Sequence, residues 1–292
     1  EVTYENDTTG KEKVVWPTDL TVDQFSTAGD TVEVTGQIVD YDVTVTATVT
    51  VTDVISEAPA SVSTEFNLSD ISLDGTDTIF GQNMARDLEY LKVMDADRML
   101  YNFRDAFGQD TKGADPLTGW EEPTGLLRGH STGHFLSALA QAYASTGESA
   151  YKDKMDYMVS ELHKLQQLSK GNPEDFETQC SPTNAAQNLW STDPNTWGEG
   201  FLSAYSPDQF ALLEQYTPYN TIWAPYYTLH KITAGMIDCY QYGGNEEALE
   251  VAKGIGTWIY RRLSGCTDEA QREQMWAMYF AGEYGGMNES LA

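Results

Sequence analysis

The chain has 292 residues, with 17 Lys+Arg against 45 Asp+Glu, a formal net charge of −28. So acidic a chain lacks the clustered cations that hold nucleic-acid phosphates or anionic membrane surfaces, and both partners are excluded. Aromatic residues make up 12% and include seven Trp, which excludes a disordered chain, and the length fits one large domain or two smaller ones.

The chain opens at Glu1 without Met or a leader segment, and it reads as a processed or cut piece of a longer protein. Residues 1 to about 55 are rich in Thr and Val. Val2 and Tyr4 read as the start of a strand, Thr31–Val39 as another, and Asp40-Tyr41-Asp42 as a turn. From Asp42 to Thr52, Val43, Val45, Ala47, Val49 and Val51 alternate with Thr. That period of two predicts a half-buried antiparallel strand, and short strands with polar turns predict a small β-sandwich. Lys13–Pro17, Ser26–Val39 and Thr44–Val51 resemble a bacterial immunoglobulin-like module, of which the first strand would precede residue 1. Residues 56–64, SEAPASVST, have linker composition. The domain reading is therefore a partial immunoglobulin-like module at 1–55, a linker at 56–64, and a second domain at 65–292.

From about Gln82 the period changes. Leu88, Leu91, Met94, Met99 and Phe103 recur at helical spacing, and a Gly/Pro/Asp loop follows from Gly108 to Trp120. Phe135, Leu136, Leu139, Ala142 and Tyr143 predict a helix that stops at Gly147; Tyr151, Met155, Met158, Val159, Leu162 and Leu165 predict its partner. The unit recurs: a helix from His230 to Tyr240, a stop at Gly243-Gly244-Asn245, and a partner from Ala248 to Leu263. Repeated helical hairpins predict an α-solenoid or an α/α toroid. The long loop-rich stretch Gly171–Pro225 would form a pocket wall at one end of such a toroid. Six or seven helices are legible in all.

Three stretches carry candidate chemistry. In Gly119–His134, His130 and His134 stand at i, i+4 and would share a helix face. Metal ligation, lining of a polar pocket and structural hydrogen bonding are all open to the pair. The intervening Ser, Thr and Gly lack the Glu of a metalloprotease HExxH. Gly125, Gly129 and Gly133 favour close backbone approach. Trp120 beside Glu121 and Glu122 has the character of a sugar site, the ring stacking on C–H bonds and the carboxylates binding hydroxyls; an exposed acidic turn is the alternative for Glu122. In Ile222–Lys231, Pro225 suits a first helical turn, and His230 is flanked by Trp223, Tyr226 and Tyr227, as a structural histidine or as part of a pocket. In Glu283–Ala292, Gly285-Gly286 permits close approach, and Asn288 and Glu289 would point into a pocket.

Together these stretches resemble the β-L-arabinofuranosidase-type glycoside hydrolases, families 127 and 146, over about residues 65–292. The resemblance rests on NMARDLEYLKVMDADRMLYNFR, GWEEPTGLLRGHSTGHFLSALAQAYASTG, APYYTLHKITAGMIDCY and GGMNESLA, in that order. It implies a catalytic (α/α)6 toroid, here incomplete. It also implies retaining hydrolysis of arabinose-containing plant glycans through a Cys nucleophile held at a zinc site of Cys and Glu ligands, with a Glu as acid/base. In that family the reaction centre lies C-terminal of the GGMNE stretch, and Cys180, Cys239 and Cys266 do not match it. No nucleophile, no metal ligand and no bound zinc are therefore expected within this chain, which by itself would be inactive. The sugar-contacting candidates are His130, His134 and His230, followed by Trp120, Glu121, Tyr226, Tyr227 and Asn288. The expected location is secreted or on a bacterial cell surface, with no membrane span. A non-catalytic carbohydrate-binding or adhesive surface protein is the alternative. A toroid enzyme of another kind, working through Asp or His without zinc, is a third reading.

Overall fold

The computed structural model describes residues 2–3, 9–10, 14–17, 29, 31–39, 41–51, 66–73, 77–181, 190–218, 221–265, 268–278 and 286–292. Tyr4, the expected linker 56–64, Cys266 and the segment from Glu283 to Gly285 lie outside the described residues. The chain separates into two units, Glu1–Glu65 and Phe66–Ala292.

In the first unit the alternating valines do what their period demands. β1 (Val2–Thr3) pairs antiparallel with β2 (Thr9–Gly10). β3 (Val14–Val15), β4 (Thr31–Ile38) and β5 (Thr44–Thr50) form a three-stranded antiparallel sheet in the order β3-β4-β5. The register sets Val34 against Ala47 and Gly36 against Val45, so the apolar residues of both strands share one face. Val34 and Ile38 are buried there. The Trp16 ring lies over Gly36, where a Cβ would stand 2.6 Å from it, which accounts for a glycine inside this strand. The 39–43 turn closes through the Ile38 N–H donating to Val43 O at 3.0 Å. The described strands thus form sheets of two and three, and two facing sheets of a sandwich are not shown by them.

The second unit is helical. The expected first helix divides in two, α1 (Ile79–Val93) and α2 (Ala96–Ala106), because the Asp95 carboxylate caps a new helix by accepting the Asp97 N–H at 2.8 Å. The elbow is held by Lys154 of α4 (Ser149–Gln166). Its ammonium donates to the carbonyls of Leu91, Lys92 and Met94 at 2.9, 2.7 and 2.6 Å. α3 (His130–Thr146) and α4 make the first predicted hairpin; Gly147 ends α3 in the left-handed region at φ 70°. α6 (Pro225–Gln241) and α7 (Glu246–Ser264) make the second, where the Asn245 side chain accepts the Ala248 N–H at 2.9 Å. α8 (Glu269–Met278) and the short α9 (Gly286–Leu291) follow.

These helices form two layers. α3 and α6 pack together most extensively, with α1 against α3 and α9 against α6; α2, α4 and α7 stack behind them. The facing stripes are the predicted ones: Leu136 and Leu139 of α3, Tyr151, Met155, Met158 and Leu162 of α4, Leu229, Ile232 and Met236 of α6, and Val251, Ile255 and Trp258 of α7 are all buried. Burying each large apolar side chain contributes about 1.5–3 kcal/mol. This layering is consistent with an all-α domain.

The Gly171–Pro225 stretch does more than line a wall. Within it lies α5 (Asp208–Glu214), and Trp197, Phe201 and Phe210 are buried in an edge-on aromatic cluster with Trp258 of α7. The Asp208 carboxylate, fully buried, gathers this loop by accepting from Thr178 Oγ1, Ser191 N, Ser191 Oγ and Ser206 Oγ at 2.5 to 3.0 Å. The Gly108–Trp120 loop is anchored at Lys112, whose ammonium meets Glu161 at 2.7 Å and Tyr157 Oη at 2.9 Å. Burial raises the Glu161 carboxyl, but the hydrogen bonds from Lys112, Lys164 and Arg104 outweigh it and bring its pKa down to about 2. Among the described residues, no helix is long and apolar enough to cross a membrane.

Candidate functional site

The site forms where α3 and α6 begin. The two helices run in the same direction: Gly133 and Gly235 touch backbone to backbone, and further along Cys239 Sγ lies 3.9 Å from Leu136 O. A Cβ on Gly133 would collide with the carbonyl of Lys231, and one on Gly235 would lie 2.5 Å from Gly133 O. The close approach expected of Gly133 is therefore between two helices. It brings the side chains of their first turns together.

Glu121 organises the start of α3. It ends the short 3-10 turn Gly119–Glu121 and is buried. One carboxylate oxygen accepts the Gly129 N–H at 2.6 Å; the other accepts the Ser131 N–H at 2.8 Å and meets His130 Nδ1 at 2.7 Å. Gly129 itself adopts φ 101° with Ala204 against it, a geometry for which a side chain has neither the conformation nor the room. Burial raises Glu121, but the hydrogen bonds from His130, Gly129 and Ser131 prevail and hold the carboxyl below its ordinary value. Nδ1 of His130 faces two acceptors, Glu121 and Leu127 O at 2.7 Å, so it carries a proton, and the carboxylate lifts the imidazole above its ordinary value against the opposing burial.

The predicted residues fall into three groups. Trp120, His130, His134 and Tyr227 come together. The His130 ring centroid lies 6.2 Å from Trp120, 6.1 Å from His134 and 6.2 Å from Tyr227. Trp120 is 66% exposed, as suits a stacking surface and not a core. His134 is exposed, and partial desolvation, with Lys231 and His130 nearby, lowers its pKa.

His230 forms the second group, with α9. Its Nδ1 meets Ser290 Oγ at 2.7 Å, and its Nε2 faces the Lys231 ammonium at 3.2 Å and Glu289 at 3.6 Å. Lys231 can only donate, so Nε2 accepts, and burial together with Lys231 keeps this imidazole below its ordinary value. Asn288 stands exposed on α9 beside Glu289. Tyr226 belongs to the third group. It is buried, and its ring meets Phe210 edge-on at 5.0 Å, on the core side of α6.

Other residues of the site were not among the candidates. Trp223, 41% exposed, sets its ring 6.3 Å from Trp120. The Lys231 ammonium lies 5.3 Å over Tyr227 and links that ring to His230. Beside the cluster opens a hollow of about 410 Å3, lined by Tyr90, Met94, Arg98, Glu121, Ser131 and His134 among others. Its far wall is the α1–α2 elbow. Stacking rings, imidazoles shifted in opposite directions and a hollow of monosaccharide to disaccharide size suit a neutral polyol ligand.

Neither described cysteine suits nucleophilic or metal chemistry. Cys180 is buried near Asp208, and burial pushes its thiol up to about 11; burial raises Cys239 as well. Among the described residues, no three His, Cys, Asp or Glu side chains are grouped to hold a metal ion. A family model described as "Beta-L-arabinofuranosidase, GH127 catalytic domain" matches residues 74–292. No curated protein sequence matches the chain.

Proposed function

The chain belongs to the family of GH127 β-L-arabinofuranosidase catalytic domains, and on that premise we propose that it supplies the sugar-binding wall of an enzyme releasing L-arabinofuranose from plant-type glycans. One observation carries the reading: Trp120, Trp223 and Tyr227 stand around His130 and His134, with His230 linked in through Lys231, at the joined N-terminal ends of α3 and α6. The rings stack on sugar C–H bonds. The imidazoles donate to and accept from hydroxyls.

Retaining hydrolysis by a zinc-held Cys, as the family resemblance implies, finds no fitting thiol among the described residues. The described cysteines are buried and their thiols raised, so they do not fit that centre, and no step is assigned to them. A zinc–thiolate centre would come from residues other than those described. The second reading is a carbohydrate-binding or adhesive protein without catalysis. Both readings place the protein outside the cell or at its surface.

The test is titration of the 292-residue chain with methyl β-L-arabinofuranoside, its α-anomer and methyl galactoside, followed by calorimetry. Saturable binding of the β-L-furanoside, lost in Trp120→Ala and His130→Gln, supports the reading. Equal or absent binding of all three glycosides defeats it.

A further inference from the structure

Glu121 was a candidate for direct sugar contact, yet the structure commits most of its carboxylate to contacts inside the protein. The residue is 6% exposed. One oxygen holds Gly129 N–H; the other holds Ser131 N–H and the His130 ring. A carboxylate oxygen accepts about two good hydrogen bonds, so the oxygen that holds Ser131 and His130 is filled, and the one that holds Gly129 keeps a single site. The three contacts fix different things. The two backbone bonds replace the side-chain cap that Gly129, the residue before α3, cannot supply. The third contact fixes which imidazole nitrogen carries the proton and which way the ring faces.

We propose that Glu121 is a positioning residue that acts through His130: it holds Nδ1–H inward, so that Nε2 is the atom offered to the bound sugar, and Glu121 does not touch the sugar itself. The proposal rests on the sugar-binding reading above and assigns the roles within it.

The charges around the ring decide its state. Glu121 faces it from the 3-10 turn and favours the imidazolium. Lys231 faces it from α6 and opposes it, as does burial. His134 lies one turn along the same helix, and Arg128, bound to the carbonyls of Ala204 and Gly125, sits behind the carboxylate. The carboxylate is in contact and the ammonium is not, so the carboxylate prevails and His130 is held above its ordinary value. Among the described residues, Nε2 is left with only a long contact to Ser131 Oγ at 3.5 Å, while His134 and His230 are held below their ordinary value. The environment alone thus sets His130 apart from the other two imidazoles.

The experiment is nitrogen-detected histidine spectroscopy of the full 292-residue chain across pH, with and without methyl β-L-arabinofuranoside. It compares the wild type with Glu121→Gln, Glu121→Asp, His130→Gln and the Glu121→Gln/His130→Gln double variant. In the wild type, His130 is expected to titrate above 6.5 with Nδ1 protonated in the neutral ring. Glu121→Gln should lower that midpoint and weaken sugar binding about tenfold or more. His130→Gln should weaken binding to a similar degree, and the double variant no further. Glu121→Asp keeps the charge and should retain part of both effects. Weaker binding in Glu121→Gln with an unchanged His130 titration means direct sugar contact and overturns the proposal, as does a wild-type His130 midpoint below 6.5. That wild-type measurement holds even if a variant fails to fold. It also needs no ligand, so a chain that binds no sugar but shows the Glu121-dependent titration defeats the functional reading and not the coupling.

Discussion

Gly133 of α3 and Gly235 of α6 are in backbone contact, and the side chains that reach the site from the two helices stand on either side of it. Neither position has space for a methyl group. Gly133→Ala and Gly235→Ala are expected to destabilise the chain by about 1–3 kcal/mol each, as overpacking does. Both should also weaken sugar binding, because Tyr227 and Lys231 would move away from His130. Gly147→Ala is the control. It meets nothing within 4 Å but has φ 70°, so it should cost about 1 kcal/mol through backbone conformation alone and leave binding intact. Urea titrations of the three variants, paired with calorimetry, separate the two effects.

Trp120 stands mostly in solvent, so its ring contributes little to the core. Trp120→Ala should change stability by no more than about 0.5 kcal/mol and lower sugar affinity about tenfold, the worth of one stacking ring. Trp120→Phe should recover part of the affinity. A large fall in melting temperature in Trp120→Ala would instead make the ring structural.

The Glu121–His130 pair predicts a stability window. His130 is raised above its ordinary 6.5, so its contribution is complete below 6.5 and is lost as the pH rises through the folded value. Glu121 is lowered from its ordinary 4.5, so its contribution is complete above 4.5 and is lost as the pH falls through the folded value. Both are fully present between 4.5 and 6.5. Denaturant unfolding across pH should show Glu121→Gln losing most stability relative to wild type inside that interval and less on either side.

Cys180 and Cys239 should behave as inert core thiols. Iodoacetamide at pH 8 should leave both unmodified in the folded chain and label both in urea, as read by peptide mass spectrometry. The 292-residue chain should not hydrolyse an aryl β-L-arabinofuranoside. Hydrolysis that disappears in Cys180→Ala or Cys239→Ala would assign the nucleophile to a residue whose thiol burial holds protonated.

The hairpins were legible because their stripes are long and their stops explicit: Gly147 and Asn245 end or begin helices by local chemistry. The division between α1 and α2 was hidden because the apolar spacing from Leu88 to Phe103 runs straight across it. Asp95 was the available signal, a capping residue in mid-pattern. The burial of α5 was hidden for another reason. Asp208 gains three of its four hydrogen bonds from Thr178 and Ser191, far back along the chain, and nothing local announces those. The same holds at the site. Trp120, His130 and His134 could be read from one motif, and Tyr227 from a second. The turning of Tyr226 into the core, the capture of Glu121 by Gly129 and Ser131, and the place of Trp223 beside Trp120 depend on how the two stretches meet.

Lys154 gives the hollow beside His134 a dependence on assembly. Its ammonium completes the carboxyl end of α1, a task done for α3 within the chain by a left-handed glycine. The elbow is thus not encoded in α1 alone. An excised peptide spanning α1 and α2 has no donor for the carbonyls of Leu91, Lys92 and Met94, and its helix would fray there. Tyr90 and Met94, which wall the hollow, acquire fixed positions only once α4 has docked. The hollow is therefore a product of tertiary closure, and local loosening of the α3–α4 hairpin would erase it while leaving the helices themselves intact.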